Sequence, residues 1–275
     1  MTGAVQLKPG LCSVTFRGLQ PPEIIDLATK AGLAGIEWAS DVHVVPGDVE
    51  SARRVANGCA NAGLSVPTLG SYVRAGASGS SQAFAPVLDT CLALGANAVR
   101  IWAGDRGFHE TPADQRREIA DIIRDYCETA AGHGVAVSLE YHPNTLTDHR
   151  AGARWLLDEV NHPNCFTYWQ PVPDQPVDDC IGDLSAIADK LAHLHVFYWT
   201  GDKERRPLSE GSAYWDAILS GAGQADIGTA GQFSGARWAF LEFVRGDDPD
   251  QFLADARVLK AIVAERIGKA EVATA

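Results

Sequence analysis

The sequence has no C-x-x-C pair, no run of about eighteen apolar residues and no basic cluster ahead of an apolar stretch at its start. Its six cysteines, Cys12, Cys59, Cys91, Cys127, Cys165 and Cys180, are scattered one to a segment. They read as small buried hydrophobes in a reducing compartment. With no export signal or membrane span visible, a cytoplasmic protein without a membrane partner is expected. Positive charge is also scarce: 23 Lys and Arg stand against 35 Asp and Glu, a formal charge of -12. Such a surface repels a phosphate backbone, so nucleic acid is excluded as the expected partner.

What is present is the composition of a globular chain, 46% apolar and 21% charged over 275 residues. That length suits one large α/β barrel and buries a substantial core. One phrase recurs. A helix-like stretch ends in Gly32, Gly63, Gly95 or Gly134, and an apolar strand follows within a few residues, at Gly35 to Trp38, Leu64 to Leu69, Ala98 to Trp102 and Val135 to Tyr141. Glycine suits a helix end because it enters the left-handed conformation without a side-chain penalty. The spacing of roughly thirty to forty residues is one β-α unit, and a run of such units implies a parallel sheet.

Leu11 to Thr15, Cys165 to Gln170, Leu191 to Tyr198 and Trp238 to Val244 complete eight expected strands. Thr111-Pro112 and Asp248-Pro249 read as N-cap and first-turn proline for helices over Ala113 to Ala131 and Asp250 to Ile267. Pro21-Pro22 and Pro176 open two more. With no low-complexity linker, and no G-x-G-x-x-G after the first strand, the prediction is one (β/α)₈ TIM-barrel domain over residues 1–275.

Strand side chains in a barrel alternate between the interior and the helix layer, and the site forms at the carboxyl ends of the strands. With Val135, Val137 and Leu139 assigned to the helix layer, Ser138, Glu140 and His142 fall on the interior face. The same alternation groups Phe166, Tyr168 and Gln170, then His193 and His195, then Trp238, Phe240 and Glu242. Glu140, Gln170, His195 and Glu242 thus end four consecutive strands as candidate metal ligands. Two carboxylates, an imidazole and an amide oxygen form a hard site that a divalent ion neutralises, Mn2+ or Mg2+ best, with Co2+ or Zn2+ possible. Each residue alone has an ordinary structural reading. The acids can pair with arginine, Gln170 can be a core amide, and one of His193 and His195 is expected to be structural.

Those residues, in that order, resemble the xylose isomerase-like barrel superfamily of sugar phosphate isomerases and epimerases. The resemblance implies a Glu, an Asp, a His and a Glu ending strands five to eight around one divalent ion. Glu140, His195 and Glu242 match, while Gln170 stands where the family has Asp. Pro173 stands where sugar-isomerising members tend to have a His. Tyr72, Trp102 and Pro173 fall near the extra histidines of the three-metal nucleases, which argues against that branch.

The resemblance further implies a ketose or related polyol that loses a proton beside its carbonyl to give an enediolate, with Glu140 and Glu242 as catalytic acid and base. The alternative on the same scaffold is a lyase or dehydratase, in which the enolate expels a β-substituent from a keto-sugar or cyclic polyol ketone. A catalytically silent sugar-binding barrel is the third reading, and a homodimer is an expected assembly. Substrate contacts are expected from Tyr72, Trp102, His142, Trp199 and His43, and from Glu37 unless it pairs with Arg100.

Overall fold

In the computed structural model, which describes residues 6–222 and 236–272, eight parallel strands close into a barrel in chain order. The strands are β1 (Gln6–Cys12), β2 (Gly35–Ala39), β3 (Thr68–Ala75), β4 (Ala98–Ala103), β5 (Ala136–Leu139), β6 (Cys165–Trp169), β7 (Leu191–Val196) and β8 (Ala236–Leu241). The helices outside them are α1 (Pro21–Ala31), α2 (Val49–Asn61), α3 (Ser80–Leu94), α4 (Ala113–Ala131), α5 (Arg150–Val160), α6 (Val177–Ala186), α7 (Ser212–Ala222) and α8 (Pro249–Val272). No helix among the described residues is long and apolar enough to cross a membrane, and all six cysteines are buried and free.

The recurring glycines do what their position demands. Gly32, Gly63, Gly95 and Gly134 all have φ between 65° and 72°, and Gly32 ends α1 by donating its N–H to Ala28 and Thr29 carbonyls. Helix starts follow the sequence less closely. Asp248 accepts from Asp250 N at 3.1 Å as a cap does, but Thr111 turns its hydroxyl back to the Gly107 carbonyl at 2.9 Å, leaving Pro112 at the cap of α4.

Three strands are displaced from their expected places, β8 running Ala236–Leu241 where Trp238 to Val244 was expected. β1 lies earlier and stops at Cys12, where a 3-10 turn takes up Ser13–Phe16. β3 lies later. Pro67 has no N–H to give to a ladder, so before Thr68 the chain makes only the isolated bridge of Ser65 to Gly35. A register shift between Gly70 and Arg74 then turns Tyr72 toward the barrel mouth.

The inward and outward assignments hold. Val135, Val137 and Leu139 join the core between strands and helices, whereas Ala136, Phe166, Tyr168, Trp238 and Phe240 form a separate cluster inside the barrel. Trp238 stacks on Phe240 at 5.7 Å, and Tyr168 meets His193 edge-on at 5.2 Å. Burial pushes the His193 imidazole down to about 3, so it serves as a neutral packing group, accepting from Trp238 N. These rings need glycine opposite them. A Cβ on Gly35 would lie 2.6 Å from the Ser65 carbonyl and 2.8 Å from the Trp238 ring. Gly35→Ala is therefore expected to cost roughly 1–3 kcal/mol in urea denaturation. A loss below about 0.5 kcal/mol would mean that the ring stack yields freely.

Candidate active site

At the carboxyl end of β7, His195 is fully buried. Its Nδ1 faces Gln170 Oε1 at 2.9 Å, Glu242 Oε2 at 3.5 Å and Glu140 Oε1 at 3.8 Å. Four side chains read from the ends of four strands thus gather around one ring nitrogen. Adjacent donors bound at about 2.1 Å to one octahedral cation stand roughly 3 Å apart, and wider pairs are spread further. The three separations fall in that range, and the donor set of three oxygens and one nitrogen suits Mn2+ or Mg2+. Measured from His195 Nδ1, the separations fit a divalent ion.

On its other side, His195 Nε2 meets Glu37 Oε1 at 3.3 Å. A carboxylate that takes Nε2–H leaves the lone pair on Nδ1, directed at the other donors, which is how outer carboxylates orient a ligating histidine. Cys12 also lies close, for its Sγ, a His195 nitrogen and a Glu242 oxygen fall within 4.8 Å of one another. Burial and the Glu37 charge raise the Cys12 thiol well above its ordinary value, so it remains a thiol, donating to Glu37 Oε1 at 3.4 Å.

Charge beneath the site is balanced by Arg100, which is 2% exposed. Its Nε lies 3.2 Å from Glu37 Oε1, and its Nη1 contacts Glu140 Oε2, to which Trp102 Nε1 also donates. Burial alone would raise the Glu37 carboxyl, but Arg100 and His195 outweigh it and hold Glu37 below the usual carboxylate range. Gly70 makes room for the pair, since a Cβ there would lie 2.7 Å from Arg100 Nη2.

Glu37 accordingly sits under the floor with no exposed surface, and the expectation of a substrate contact gives way to its pairing with Arg100. If the gathered residues hold manganese, Glu37→Gln should weaken its binding about 10–100-fold by calorimetric titration, because an amide no longer holds the His195 tautomer. Unchanged affinity would deny Glu37 that role.

Above the floor opens a cavity of about 280 Å³. Glu140, Gln170 and Glu242 line its base, and Tyr72, Trp102, His142 and Trp199 line its walls. Trp102 stacks on His142 at 4.5 Å and 21°. His142 Nδ1–H donates to the Pro143 carbonyl at 2.7 Å, which leaves the lone pair on Nε2. Burial lowers this imidazole below its ordinary value, so it is neutral at pH 7.

His43 does not line the cavity. Its Nδ1 bonds Ser13 Oγ at 2.9 Å and its Nε2–H donates to the Phe16 carbonyl at 3.1 Å. Both nitrogens are spent tying the β2 loop to the turn after β1, which corrects its reading as a substrate contact. Wall residues that the sequence reading missed include Arg17 and Phe243. Arg17 follows the displaced β1, and Phe243 holds a left-handed φ of 51° beside Glu242. Only the charge of Arg17 just past a strand end was a usable signal.

The model of the xylose isomerase-like TIM barrel family matches residues 25–260. The chain belongs to this family. A 3-dehydroshikimate dehydratase of Bacillus anthracis is 30% identical over 288 residues, spanning 92% of this chain and 96% of that protein. Among solved barrels of the family, a probable 3-DHS dehydratase from Bacillus anthracis matches with a TM-score of 0.76 at 22% identity, over 92% of this chain and 99% of the other. A D-allulose 3-epimerase from Methylomonas, solved with D-allulose, gives 0.70 at 17% identity over 95% and 98%. At those identities the solved barrels attest the shared fold.

Proposed function

We propose that this barrel is a divalent-metal-dependent dehydratase acting on a small cyclic ketone that bears hydroxyl groups and a carboxylate, of the 3-dehydroshikimate type. The full-length likeness to a dehydratase supports this reading. The observation that carries it is the unequal state of the candidate bases. An epimerase built on Glu140 and Glu242 needs both acids free to exchange a proton with the substrate. Glu140 is not free, for its Oε2 is held by Arg100 and Trp102, and its Oε1 faces His195. His142 offers a neutral imidazole with an open Nε2 on the cavity wall. Pro173, another wall residue, removes the histidine that sugar-isomerising relatives tend to carry near that point.

A divalent ion held by Glu140, Gln170, His195 and Glu242 would supply Lewis-acid polarisation of the substrate oxygens, worth several kcal/mol. Gln170 leaves that site with one negative charge fewer than the family's Asp. In our scheme His142 Nε2 takes the proton from the carbon beside the ketone, and the released electron pair forms a double bond as the hydroxyl on the next carbon departs. The imidazolium returns the same proton to that hydroxide, so one water leaves and His142 ends neutral. Trp102, stacked on the ring, fixes its plane.

The test is incubation with manganese and 3-dehydroshikimate in deuterated water, followed by ultraviolet absorbance and NMR. Loss of one water followed by enolisation gives a dihydroxybenzoate, whose aromatic absorbance should rise with turnover. Deuterium entering beside the carbonyl with no aromatic product would defeat the dehydratase reading and favour an epimerase.

A further inference from the structure

The cavity holds a cation that the scheme above leaves unused. Arg17 lines the same cavity as Glu140 and Glu242, from the turn that follows β1. Its Nη2 donates to Asp41 Oδ2 at 2.6 Å and to the Tyr72 hydroxyl at 3.2 Å. Its guanidinium carbon lies 5.9 Å from the Tyr72 ring centre. These contacts fix one corner of the guanidinium and leave the Nε and Nη1 donors unengaged among the described residues. The charge and the unengaged Nη1 donors remain for a carboxylate oxygen, whereas both edges that grip a carboxylate with two parallel hydrogen bonds include the occupied Nη2.

Arg100, the other guanidinium on the cavity wall, is differently placed. It lies between Glu37 and Glu140, so its charge is already matched twice. Arg17 has one anionic partner, Asp41, and both of its contacts fall on Nη2, which leaves its other donors for a ligand. The metal-ligand set occupies the base of the cavity and Arg17 stands on its wall, so a ring with polar groups at opposite ends has a complementary place for each.

We infer that Arg17 is the specificity-determining residue of this site, receiving the carboxylate of an anionic cyclic substrate on its free Nη1 donors while the ketone end faces the carboxylate and amide oxygens below. This deepens the dehydratase reading and rests on it. Asp41 and Tyr72 act as positioning residues that hold the guanidinium at the cavity wall.

The experiment compares two probes that differ by one group, 3,4-dihydroxybenzoate and catechol, titrated into the full-length manganese-loaded protein with quenching of tryptophan fluorescence as readout. The wild-type protein should prefer the acid by on the order of tenfold or more. Arg17→Met should abolish that preference while catechol affinity stays within about twofold. Arg17→Lys should restore part of it, since lysine keeps the charge but not the planar spread of donors that serves Asp41 and a ligand together. Melting temperatures check that each variant is folded, and Arg17→Gln is the replacement should the methionine variant not be.

A preference that survives in Arg17→Met, a parallel loss for both probes, or no preference in the wild type would each overturn the inference. Turnover separates it from the reaction. If the preference follows Arg17 while 3-dehydroshikimate is not dehydrated, Arg17 keeps its role and the dehydratase reading falls. If dehydration proceeds, KM for the acid should rise in Arg17→Met with kcat nearly unchanged.

Discussion

Replacing Arg100 with methionine should destabilise the protein by about 3–5 kcal/mol, measured by urea denaturation at neutral pH. Methionine fills much of the same space, so the loss is electrostatic in origin. Glu37 has no exposed surface and Glu140 only 4%, and both depend on this one guanidinium. An exposed pair such as Arg53 and Glu50 contributes about 0–1 kcal/mol, because water and salt screen it.

The pH dependence has a definite sign. Glu37 is depressed in the folded wild type, so its stabilising contribution is present at neutral pH and is lost as pH falls below the ordinary carboxylate range. In the variant, burial no longer opposed by Arg100 raises Glu37. Its protonation in acid then removes the unpaired charge, and the difference between the two proteins should narrow as pH drops through about 4. Manganese should recover part of the loss through Glu140 and little through Glu37, which lies beneath the ligand set. A destabilisation under about 1 kcal/mol at neutral pH would show that the two carboxylates are balanced by another group.

The second large effect is expected at His142. Exchange for glutamine should lower kcat by about 10²–10⁴ with metal content unchanged, if its Nε2 is the atom that moves the proton. Glutamine can preserve the bond to the Pro143 carbonyl and the contact with Trp102, so the loss reports the missing base. Glu140→Gln belongs to another class, since it withdraws a ligand charge and should weaken the metal first. Metal analysis beside single-turnover rates separates the two. Should His142→Gln keep full kcat while Glu242→Gln loses it with metal still bound, the proton is moved by a carboxylate and the assignment of roles must be reversed.

Much of this site is legible from alternation alone. A closed barrel leaves each strand two faces, so placing Val135, Val137 and Leu139 against the helices forces Glu140 and His142 inward, and the same holds for Gln170, His195 and Glu242. Alternation fails where the backbone departs from regular strand. The shift between Gly70 and Arg74 has no compositional signature, and Phe243 takes a conformation that a phenylalanine seldom adopts. His43 misled because a loop histidine near a strand end looks free. Its two bonds are made to Ser13 and Phe16, partners far away in sequence. Arg17 stayed hidden because it follows the 3-10 turn Ser13–Phe16, where strand alternation assigns no face.

The rings inside the barrel bear on how an isotope would behave here. With Trp238, Phe240, Tyr168 and His193 stoppering the far end, the reaction chamber communicates with solvent on one side. If the proposed scheme holds, a proton lodged on His142 between its two transfers should trade with deuterium only as fast as that side admits water.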